Sequence, residues 1–532
     1  MRVGIISVFV DFHRRGAHHR GALQPQIGPL IASLLPPHED VEVVNDTWRD
    51  PDWQKDYDLL FISCLHADFD RARQISHYWR RRGAKTVLGG TLASTYSNLC
   101  RPYFDAIVIG DPESAVPRIY EDFSKGELQP VYLGSPYDPA RLPAPRFELA
   151  AQQQLLPISL EVTRGCPFMC EFCALTGIGT RHQVRPTDTV VRDIRQAQRV
   201  LRGLVPNYKL KMAAFNDNNI GGNLSYLQEL CAALEPLKIS WGSAITFNAI
   251  SNLQIVKMLS RSGCRFLFMG LESFNPEAIA DMNKFQNALD KTKMVMDECH
   301  KHGILVESGL MLNPMVDDWK YIQSVPQSLH ECGLHVPSFI CFESPIPGTP
   351  HFHRLAAQET PALMPNALLR DFTGYTLVTR PVRENADDFV AAYRWLLQKV
   401  YSPVGRLRKL ADDLPKFLSH GHLLTGLVDL IIQGPTREKA EAKRTYMAGA
   451  LQPRTYLAGT DAPPPEASSI PFESGDFEFE EERRLILEPW RVTDSEGRVL
   501  DEWRQSTKVF GPKGRISPDA KQLVPITAAT VD

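Results

Sequence analysis

The chain has 532 residues, of which 43% are hydrophobic and 23% charged, and its formal net charge is −3. This composition is near the average for soluble globular proteins and excludes disordered and fibrous classes, while the length predicts about three or four domains. The near-zero net charge excludes the strongly basic balance that is typical of nucleic-acid-binding proteins and leaves room only for a local basic groove.

The sequence gives no signal for a membrane span or for export. No apolar run approaches the roughly 20 residues that a helix needs to cross a bilayer. The first ten residues are predicted as a buried strand, because no small-residue cleavage site follows a long apolar stretch. We therefore expect a cytoplasmic protein whose 10 cysteines are thiols rather than a disulfide framework.

Residues 1–128 alternate short β-rich runs with helical stretches. The predicted strands are Arg2–Val10, Val41–Asn45, Leu59–Cys64, Thr86–Leu88 and Ala106–Ile109, with a helix near Phe69–Arg82. This alternation predicts a doubly wound, Rossmann-like α/β domain in which helices cover both faces of a parallel sheet. A ligand of such a sheet lies beyond the carboxyl ends of its strands. The residues at those ends include Ser63, Cys64, Gly89, Gly90, Thr91, Gly110 and Glu113.

The rest of the chain divides into three further parts. Residues 129–156, rich in Pro, Gly and Tyr, are predicted as a linker on the surface. Residues 157–355 alternate again, and the predicted strands are Ile158–Thr163, Leu210–Phe215, Ser240–Thr246, Phe266–Gly270, Leu305–Leu312 and Ser338–Glu343. Six βα units predict a partial (β/α)6 TIM-type barrel with its active site at the carboxyl ends of the strands. Residues 356–532 are predicted as a mainly helical C-terminal region and tail.

Three cysteines fall within eight residues, at Cys166, Cys170 and Cys173, directly after the first strand of the predicted barrel. Soft thiolate ligands select zinc, copper(I) or iron–sulfur clusters. A structural zinc site closes its tetrahedron with a fourth Cys or His, and the candidates here are His182 and the more distant Cys231. Three thiolates without an obvious fourth ligand favour a four-iron cluster with one open iron, while a zinc site and free thiols stay as alternatives.

The segment Thr163-Arg164-Gly165-Cys166-Pro167-Phe168-Met169-Cys170-Glu171-Phe172-Cys173 resembles the signature loop of the radical S-adenosylmethionine (SAM) enzymes. The cysteine spacing, the aromatic Phe172 before the third cysteine and the position after the first barrel strand all agree. The resemblance implies that the three cysteines bind a [4Fe–4S] cluster whose fourth iron is chelated by SAM. It also implies an external flavodoxin- or ferredoxin-type reductant, whose electron cleaves SAM to a 5′-deoxyadenosyl radical.

Motifs after later strands agree with this family. The segments Phe215-Asn216-Asp217-Asn218-Asn219 and Gly270-Leu271-Glu272-Ser273 resemble motifs at the mouth of its barrel. The resemblance implies SAM contacts for Phe172, Asp217, Asn219, Glu272 and Ser273. An Asx-type turn at the first segment and a helix-capping turn at the second are the structural alternatives.

One large subgroup of the family also resembles this chain outside the cysteine loop. The segment Pro345-Ile346-Pro347-Gly348-Thr349-Pro350 is similar to the Pro-x-Pro-Gly-Thr-Pro element of that subgroup, which carries a cobalamin (B12)-binding domain ahead of its barrel. Val87-Leu88-Gly89-Gly90 and the segment 104–113 resemble the later strand ends of that domain. The resemblance therefore implies cobalamin contacts at Ser63, Cys64, Gly89, Gly90, Thr91, Gly110 and Glu113.

These features together predict a cobalamin-dependent radical SAM methyltransferase. As the resemblance implies, it would methylate an unactivated carbon of a small biosynthetic substrate through a 5′-deoxyadenosyl radical and methylcobalamin. Two alternatives stay open: a cyclase or rearrangement enzyme with the same cofactors, and a non-catalytic iron–sulfur or corrinoid sensor. No cysteine follows Cys341, which predicts a single cluster.

Overall fold

The fold is described from a computed structural model of the chain. It describes residues 1–8, 25–134, 138–178, 182–282, 284, 291–358, 362–365, 367–423, 425–426 and 446–447. The end of the first predicted strand, at residues 9–10, and most of the predicted tail beyond residue 426 lie outside the described residues.

The first six strands form one parallel sheet in the order β2-β1-β3-β4-β5-β6. They span Arg2–Ser7 (β1), Asp40–Asn45 (β2), Leu59–Ser63 (β3), Lys85–Gly89 (β4), Ala106–Ile109 (β5) and Val131–Leu133 (β6). The accompanying helices are Ile27–Ser33 (α1), Phe69–Arg81 (α2), Thr91–Thr95 (α3), Ser97–Cys100 (α4) and Pro112–Lys125 (α5). This order is the flavodoxin-like type of doubly wound sheet, whose ligand crevice opens where the direction of winding reverses, between β1 and β3.

Local sequence explains where α5 begins and ends. Pro112 occupies the first turn, where its missing N–H costs nothing, and Gly126 ends the helix with a left-handed φ of 76°. The helix thereby starts immediately after the strand-end segment Gly110–Asp111 and carries Glu113 in its first turn.

Both faces of the first sheet are covered by other elements, and residues from the predicted C-terminal region contribute to one of these two layers. One face packs on α1 and α5. The other packs on α2, α3 and α4 together with apolar side chains from the segment 352–378, among them Phe352, Leu355, Leu369 and Phe372. The beginning of the predicted C-terminal region thus completes the core of the N-terminal sheet.

The second sheet contains six parallel strands in the order β14-β13-β12-β11-β10-β7. The strands from here on span Ile158–Leu160 (β7), Thr163–Arg164 (β8), Gln183–Val184 (β9), Met212–Phe215 (β10), Ser240–Ile245 (β11), Cys264–Glu272 (β12), Leu305–Leu312 (β13) and Phe339–Phe342 (β14). The helices are Ala174–Ile178 (α6), Thr187–Val200 (α7), Leu224–Leu234 (α8), Phe247–Ile250 (α9), Leu253–Arg261 (α10), Pro276–Asp281 (α11), Thr292–Lys301 (α12), Trp319–Glu331 (α13) and Pro350–Ala356 (α14). Sequential parallel strands with intervening helices confirm the predicted (β/α)6 succession, and β8 with β9 adds a short antiparallel pair.

The structure differs from the predicted linker at residues 129–156. Val131–Leu133 is the sixth strand of the first sheet and pairs with β5. Further on, the Gln153 side chain donates to the Val43 carbonyl (2.8 Å) and accepts from the Asn45 backbone N–H (2.9 Å). Pro and Gly content indicated irregular backbone correctly, but pairing with a distant strand edge leaves no local signal.

The described part of the C-terminal region is mainly helical, as predicted. Ala386–Val400 (α15) and Pro403–Ser419 (α16) follow a short strand at Thr376–Leu377 (β15), which pairs with Tyr446–Met447 (β16). α15 packs on the core of the second sheet through Phe389, Tyr393 and Leu397. Within the described part of the chain, no helix combines the length and apolar character that crossing a membrane requires.

Candidate active site

The cysteine loop leaves the carboxyl end of β7 and is shaped by short local contacts. After β8, Gly165 takes a positive φ of 79° that favours glycine. The loop then closes a turn in which the Cys173 N–H donates to the Cys170 carbonyl (3.1 Å), and α6 begins one residue later. The predicted position of the loop, at the carboxyl end of the first barrel strand, is therefore what the structure shows.

The three thiols lie on one loop but do not form a preformed metal site. Burial raises the pKa of the Cys173 thiol to about 11, and the neighbouring Cys170 and Cys166 add to this shift. All three cysteines are free thiols. In the part of the chain that the structure describes, no three His, Cys, Asp or Glu side chains are gathered into a geometry that could hold a metal ion. The loop supplies three sulfur donors within eight residues.

His182, one candidate for a fourth zinc ligand, lies beside the start of this loop. A Cβ placed on Gly222 would be 2.6 Å from His182 Nε2 and 3.0 Å from the Pro167 ring. The imidazole and the Pro167 ring therefore both pack close to Gly222. Burial lowers the pKa of His182. Cys231, the other candidate, is buried in the core of the second sheet. No described contact joins either residue to the three thiols.

Two residues of the β10 motif contact the cysteine loop directly. Asn219 is fully buried, and its Nδ2 lies 3.7 Å from Cys166 Sγ while its Oδ1 accepts from the Thr246 N–H (3.2 Å). Asp217 accepts hydrogen bonds from the backbone N–H groups of Val162 (2.9 Å) and Thr163. Asn219 thus contacts a thiol of the loop, and Asp217 binds the backbone just before the loop.

Asp217 titrates far from the usual range of an aspartate. Burial raises its pKa to about 7, against the opposing effect of the hydrogen bond from the Thr163 N–H. The Ser243 hydroxyl approaches the second carboxylate oxygen at 3.4 Å. The carboxylate of Asp217 therefore makes a tertiary contact between the end of β10 and the start of the cysteine loop.

Glu272, at the end of β12, combines an unusual backbone with a charged partner. Its φ is 67°, a left-handed conformation that is uncommon for a residue other than glycine and is found most often at functional sites. Its carboxylate pairs with the ammonium group of Lys284, which also donates to the Gly270 carbonyl (3.0 Å). Burial raises the pKa of the half-buried Cys341 thiol on β14, and Glu272 and Glu343 add to this shift.

Ser273 and Phe172 have different surroundings. The Ser273 hydroxyl is hydrogen-bonded to the Tyr321 hydroxyl (2.9 Å) and accepts from the Asn275 N–H (3.0 Å), while Asn275 and not Ser273 caps α11. Phe172 is half-buried in the cysteine loop. No described contact tests either residue as a SAM ligand, and both stay predictions.

The segment 345–350 packs against the back of the cysteine loop. A Cβ on Gly177, in α6, would come within 2.7 Å of the Gly348 carbonyl oxygen, so the two backbones are in direct contact. The His351 N–H donates to the Glu171 carbonyl (3.2 Å), and Arg354 Nε lies 3.1 Å from the Glu171 carboxylate. The Pro-rich turn thereby supports the segment that carries the second and third cysteines.

At the carboxyl edge of the first sheet, the predicted cobalamin residues are neighbours. A Cβ on Gly90, whose φ is 103°, would lie 2.8 Å from the Cys64 carbonyl and 3.3 Å from Ser63 Oγ. A Cβ on Gly89 would meet its nearest atom, in Val108, at 3.9 Å, which is an ordinary van der Waals contact, so a methyl group fits at that strand end. The Thr91 hydroxyl is buried without a hydrogen-bond partner among the described residues.

Arg164 joins this edge to the cysteine loop. Its guanidinium lies 3.0 Å from Asp111 Oδ1, 2.7 Å from Glu113 Oε1 and 2.8 Å from Glu161 Oε2. The side chains of Arg164 and Glu161 are 13% and 15% exposed, and burial raises the pKa of Glu161. Because α3 also packs against α6, the carboxyl edges of both sheets meet at one place.

Sequence reasoning missed two of these roles. Lys284 is a single lysine in a segment without periodicity, and nothing local marks it as the partner of Glu272. Arg164 stood inside the signature loop, yet only the three-dimensional arrangement shows that it pairs with Asp111 and Glu113, about fifty positions earlier in the chain.

Comparison with known proteins agrees with this geometry. Residues 160–325 match the sequence model of the Radical SAM superfamily. The bacteriochlorophyllide d C-8(2)-methyltransferase of Chlorobaculum tepidum is 26% identical over 423 residues, which cover 75% of this chain and 91% of that protein. Over these residues the chain is similar to the radical SAM enzymes.

Two solved structures have a similar fold. The methyltransferase TsrM from Kitasatospora setae, with tryptophan and a SAM analogue bound, has a TM-score of 0.55 at 16% identity and covers 69% of this chain and 78% of its own. The cobalamin-dependent SAM radical enzyme OxsB, with aqua-cobalamin and SAM bound, has a TM-score of 0.56 at 12% identity and covers 97% of this chain and 84% of its own. The chain thus has the fold of the cobalamin-dependent radical SAM enzymes.

Proposed function

We propose that this protein is a cobalamin-dependent radical SAM methyltransferase that acts on a carbon atom of a small organic molecule. The observation that carries the proposal is the meeting of the two carboxyl edges, where Arg164 ties the strand end at Asp111–Glu113 to the start of the cysteine loop. A methyl carrier in the crevice of the first sheet and a cluster on the loop would both face this meeting point.

The donor set of the cysteine loop fits an iron–sulfur cluster. Cys166, Cys170 and Cys173 would hold three irons, and Asn219 would direct its amide toward a coordinating sulfur, a contact that tunes such clusters. When bound, the cluster would supply the electron that cleaves SAM, taken from an external flavodoxin- or ferredoxin-type reductant. Asp217 holds the Val162–Thr163 backbone and so fixes where the loop begins.

The first sheet fits a large ligand at the end of β4. Gly89 carries no side chain at its strand end, and the unpartnered Thr91 hydroxyl is buried close by in the chain, so both would face a bound cobalamin. Glu113 is already paired with Arg164 and is proposed as part of the wall rather than as a free ligand. When bound, cobalamin would supply the methyl group.

A histidine in the segment after the first strand is proposed as a cobalt ligand. Asp11-Phe12-His13-Arg14-Arg15-Gly16 has the spacing Asp-x-His-x-x-Gly, which cobalamin proteins with a protein-derived histidine ligand use. These residues lie outside those that the structure describes. His13 is therefore proposed as a ligand on sequence alone, and loss of the nitrogen coupling in the electron paramagnetic resonance spectrum of His13→Ala would test it.

Methylation is favoured over rearrangement by the relatives. One is named for methylating a bacteriochlorophyllide, and TsrM is a methyltransferase solved with tryptophan. These molecules share little beyond being small and organic, so substrate class is proposed no further than that.

Anaerobic reconstitution with iron, sulfide, cobalamin and methyl-labelled SAM tests the proposal. The wild-type protein should show iron–sulfur absorbance, form 5′-deoxyadenosine under reduction and transfer label to the corrinoid. The variant with Cys166, Cys170 and Cys173 all changed to Ala should lose the absorbance and 5′-deoxyadenosine, whereas Cys332→Ala, a remote buried cysteine, should keep both. Retention of the cluster in the triple variant, or stoichiometric zinc in place of iron, would refute the assignment.

Two results would favour the alternatives. Formation of 5′-deoxyadenosine without label transfer would indicate a rearrangement enzyme, and cofactor binding without SAM cleavage would indicate a sensor. Gly89→Ala distinguishes an effect on cobalamin binding from an effect on folding, because the folded protein accommodates the added methyl group. The variant should bind cobalamin more weakly and keep the melting temperature of the wild type.

A further inference from the structure

A group of basic side chains lies where α7 ends and the chain turns into β10. Arg195 and Arg199 share one face of α7, Arg202 follows in the turn, and Lys209 and Lys211 precede β10. We call these five residues the basic patch. All are exposed except Lys209, which is half-buried.

The charge of the basic patch is not neutralised locally. From Ile194 to Asn216 the chain contains no Asp or Glu, although its overall net charge is −3. None of the five cations makes an ion pair with any residue in the part of the chain that the structure describes, whereas the neighbouring Arg192 pairs with Asp193 at 2.8 Å. A cluster of this sign on a near-neutral protein indicates an anionic partner.

Two large apolar side chains stand among these cations. Leu204 is 46% exposed and Tyr208 is 64% exposed, and both lie in the turn between Arg202 and Lys209. The turn is itself held in shape, because Gln198 Nε2 donates to the Leu210 carbonyl (3.0 Å). An apolar and an aromatic side chain framed by Lys and Arg is the composition of surfaces that rest in the headgroup layer of a membrane.

The position of the patch argues against an electron donor as its partner. α7 starts near β9, which pairs with the strand before the cysteine loop, and its 14 residues extend about 20 Å toward the opposite edge of the sheet. Lys211 stands immediately before β10, at the amino edge, while the cysteines follow the carboxyl edge of β7. A partner on the patch would therefore sit on the far side of the barrel from the cluster loop.

We propose that the basic patch, with Leu204 and Tyr208, docks this protein on an anionic lipid surface. The cations face lipid phosphates and the two apolar side chains enter the headgroup region. This docking is independent of the reaction, since no residue of the cysteine loop or of the first-sheet edge takes part.

Co-sedimentation with vesicles tests the docking. The full-length protein is mixed with vesicles of phosphatidylglycerol and phosphatidylcholine, or of phosphatidylcholine alone. Binding is expected only to the anionic vesicles, with a steep loss as salt rises. Because each cation near an anionic membrane contributes about fivefold in affinity, R195E/R199E/R202E should weaken binding by on the order of a hundredfold or more.

Two further variants distinguish the contributions. L204S/Y208S keeps every charge and should still weaken binding, which a purely electrostatic contact would not do. K257E/K320E/K399E changes the net charge equally at exposed lysines on α10, α13 and α15 and should bind as the wild type does. Equal binding by the patch and control variants overturns the proposal. It is also overturned if the wild-type protein does not bind anionic vesicles, or if it binds the acidic protein flavodoxin instead of the vesicles.

Discussion

At the scale of single residues, the polar side chains at the strand ends contact the backbone or thiol of the cysteine loop. Asp217 binds two backbone N–H groups at the loop's origin, and Asn219 reaches Cys166. The sequence indicated these polar residues as site candidates, because they directly follow an apolar strand in the chain. Their partners could not, since Val162 and Thr163 lie more than fifty positions away.

Asp217 makes stability depend on pH in a defined direction. Its folded pKa of about 7 is raised above the ordinary value, so the folded state holds the proton more tightly than the unfolded state. The stabilisation is complete below the unfolded pKa near 4 and is lost as pH rises toward 7, by up to about 4 kcal/mol. Asp217→Asn should therefore reduce the fall in melting temperature between pH 5 and pH 8.

The matched control for this prediction is Asp188→Asn, an exposed carboxyl on α7. It should leave the pH dependence of the melting temperature as in the wild type. An Asp217→Asn protein that loses as much stability as the wild type between these pH values would contradict the assignment.

At the scale of elements, β8 and the start of α5 are joined by one cation and three carboxylates. Arg164 contacts Glu161 beside it in the chain, and Asp111 and Glu113 from the first sheet. Periodicity predicted the strand that leads into the cysteine loop, but it predicted neither β8 nor α5. Their pairing required the tertiary structure, because a surface charge carries no mark of its partner.

Arg164→Met tests the joint between the elements. The change leaves three carboxylates facing one another with little water, and should lower the free energy of unfolding by roughly 3 kcal/mol. Urea titration measures it. Arg141→Met, which removes the exposed pair of Arg141 with Asp138 (3.2 Å), should cost less than about 1 kcal/mol. Similar losses in the two variants would show that the Arg164 cluster is ordinary surface charge.

At the scale of the whole molecule, the N-terminal sheet and the segment after the barrel share a core. Phe352 is fully buried and meets Phe372 ring to ring at 5.9 Å within the core of the first sheet. Asp70 on α2 pairs with Arg370 at 2.6 Å in the same contact. The chain therefore returns from the barrel to complete the domain with which it began.

Phe352→Ala should loosen the first sheet rather than the barrel. Removing a buried phenylalanine costs about 3–5 kcal/mol, and hydrogen exchange should rise in Leu59–Ser63 and Lys85–Gly89. The matched change Phe389→Ala, in the core of the second sheet, should raise exchange in Phe339–Phe342 instead. Exchange that rises in the same strands for both variants would contradict the shared core.

The sequence by itself determined the alternation of strands and helices in two successive parallel sheets, except for β6, and the loop with three cysteines. Each of these rests on a pattern within a few neighbouring residues: alternation, helical spacing, turn residues or the cysteine interval. Only the tertiary structure decided that Lys284 faces Glu272, that Arg164 faces Glu113 and that Phe352 lies in the first core. Those contacts join residues far apart in the chain, where burial and charge pairing act through space and leave no local period.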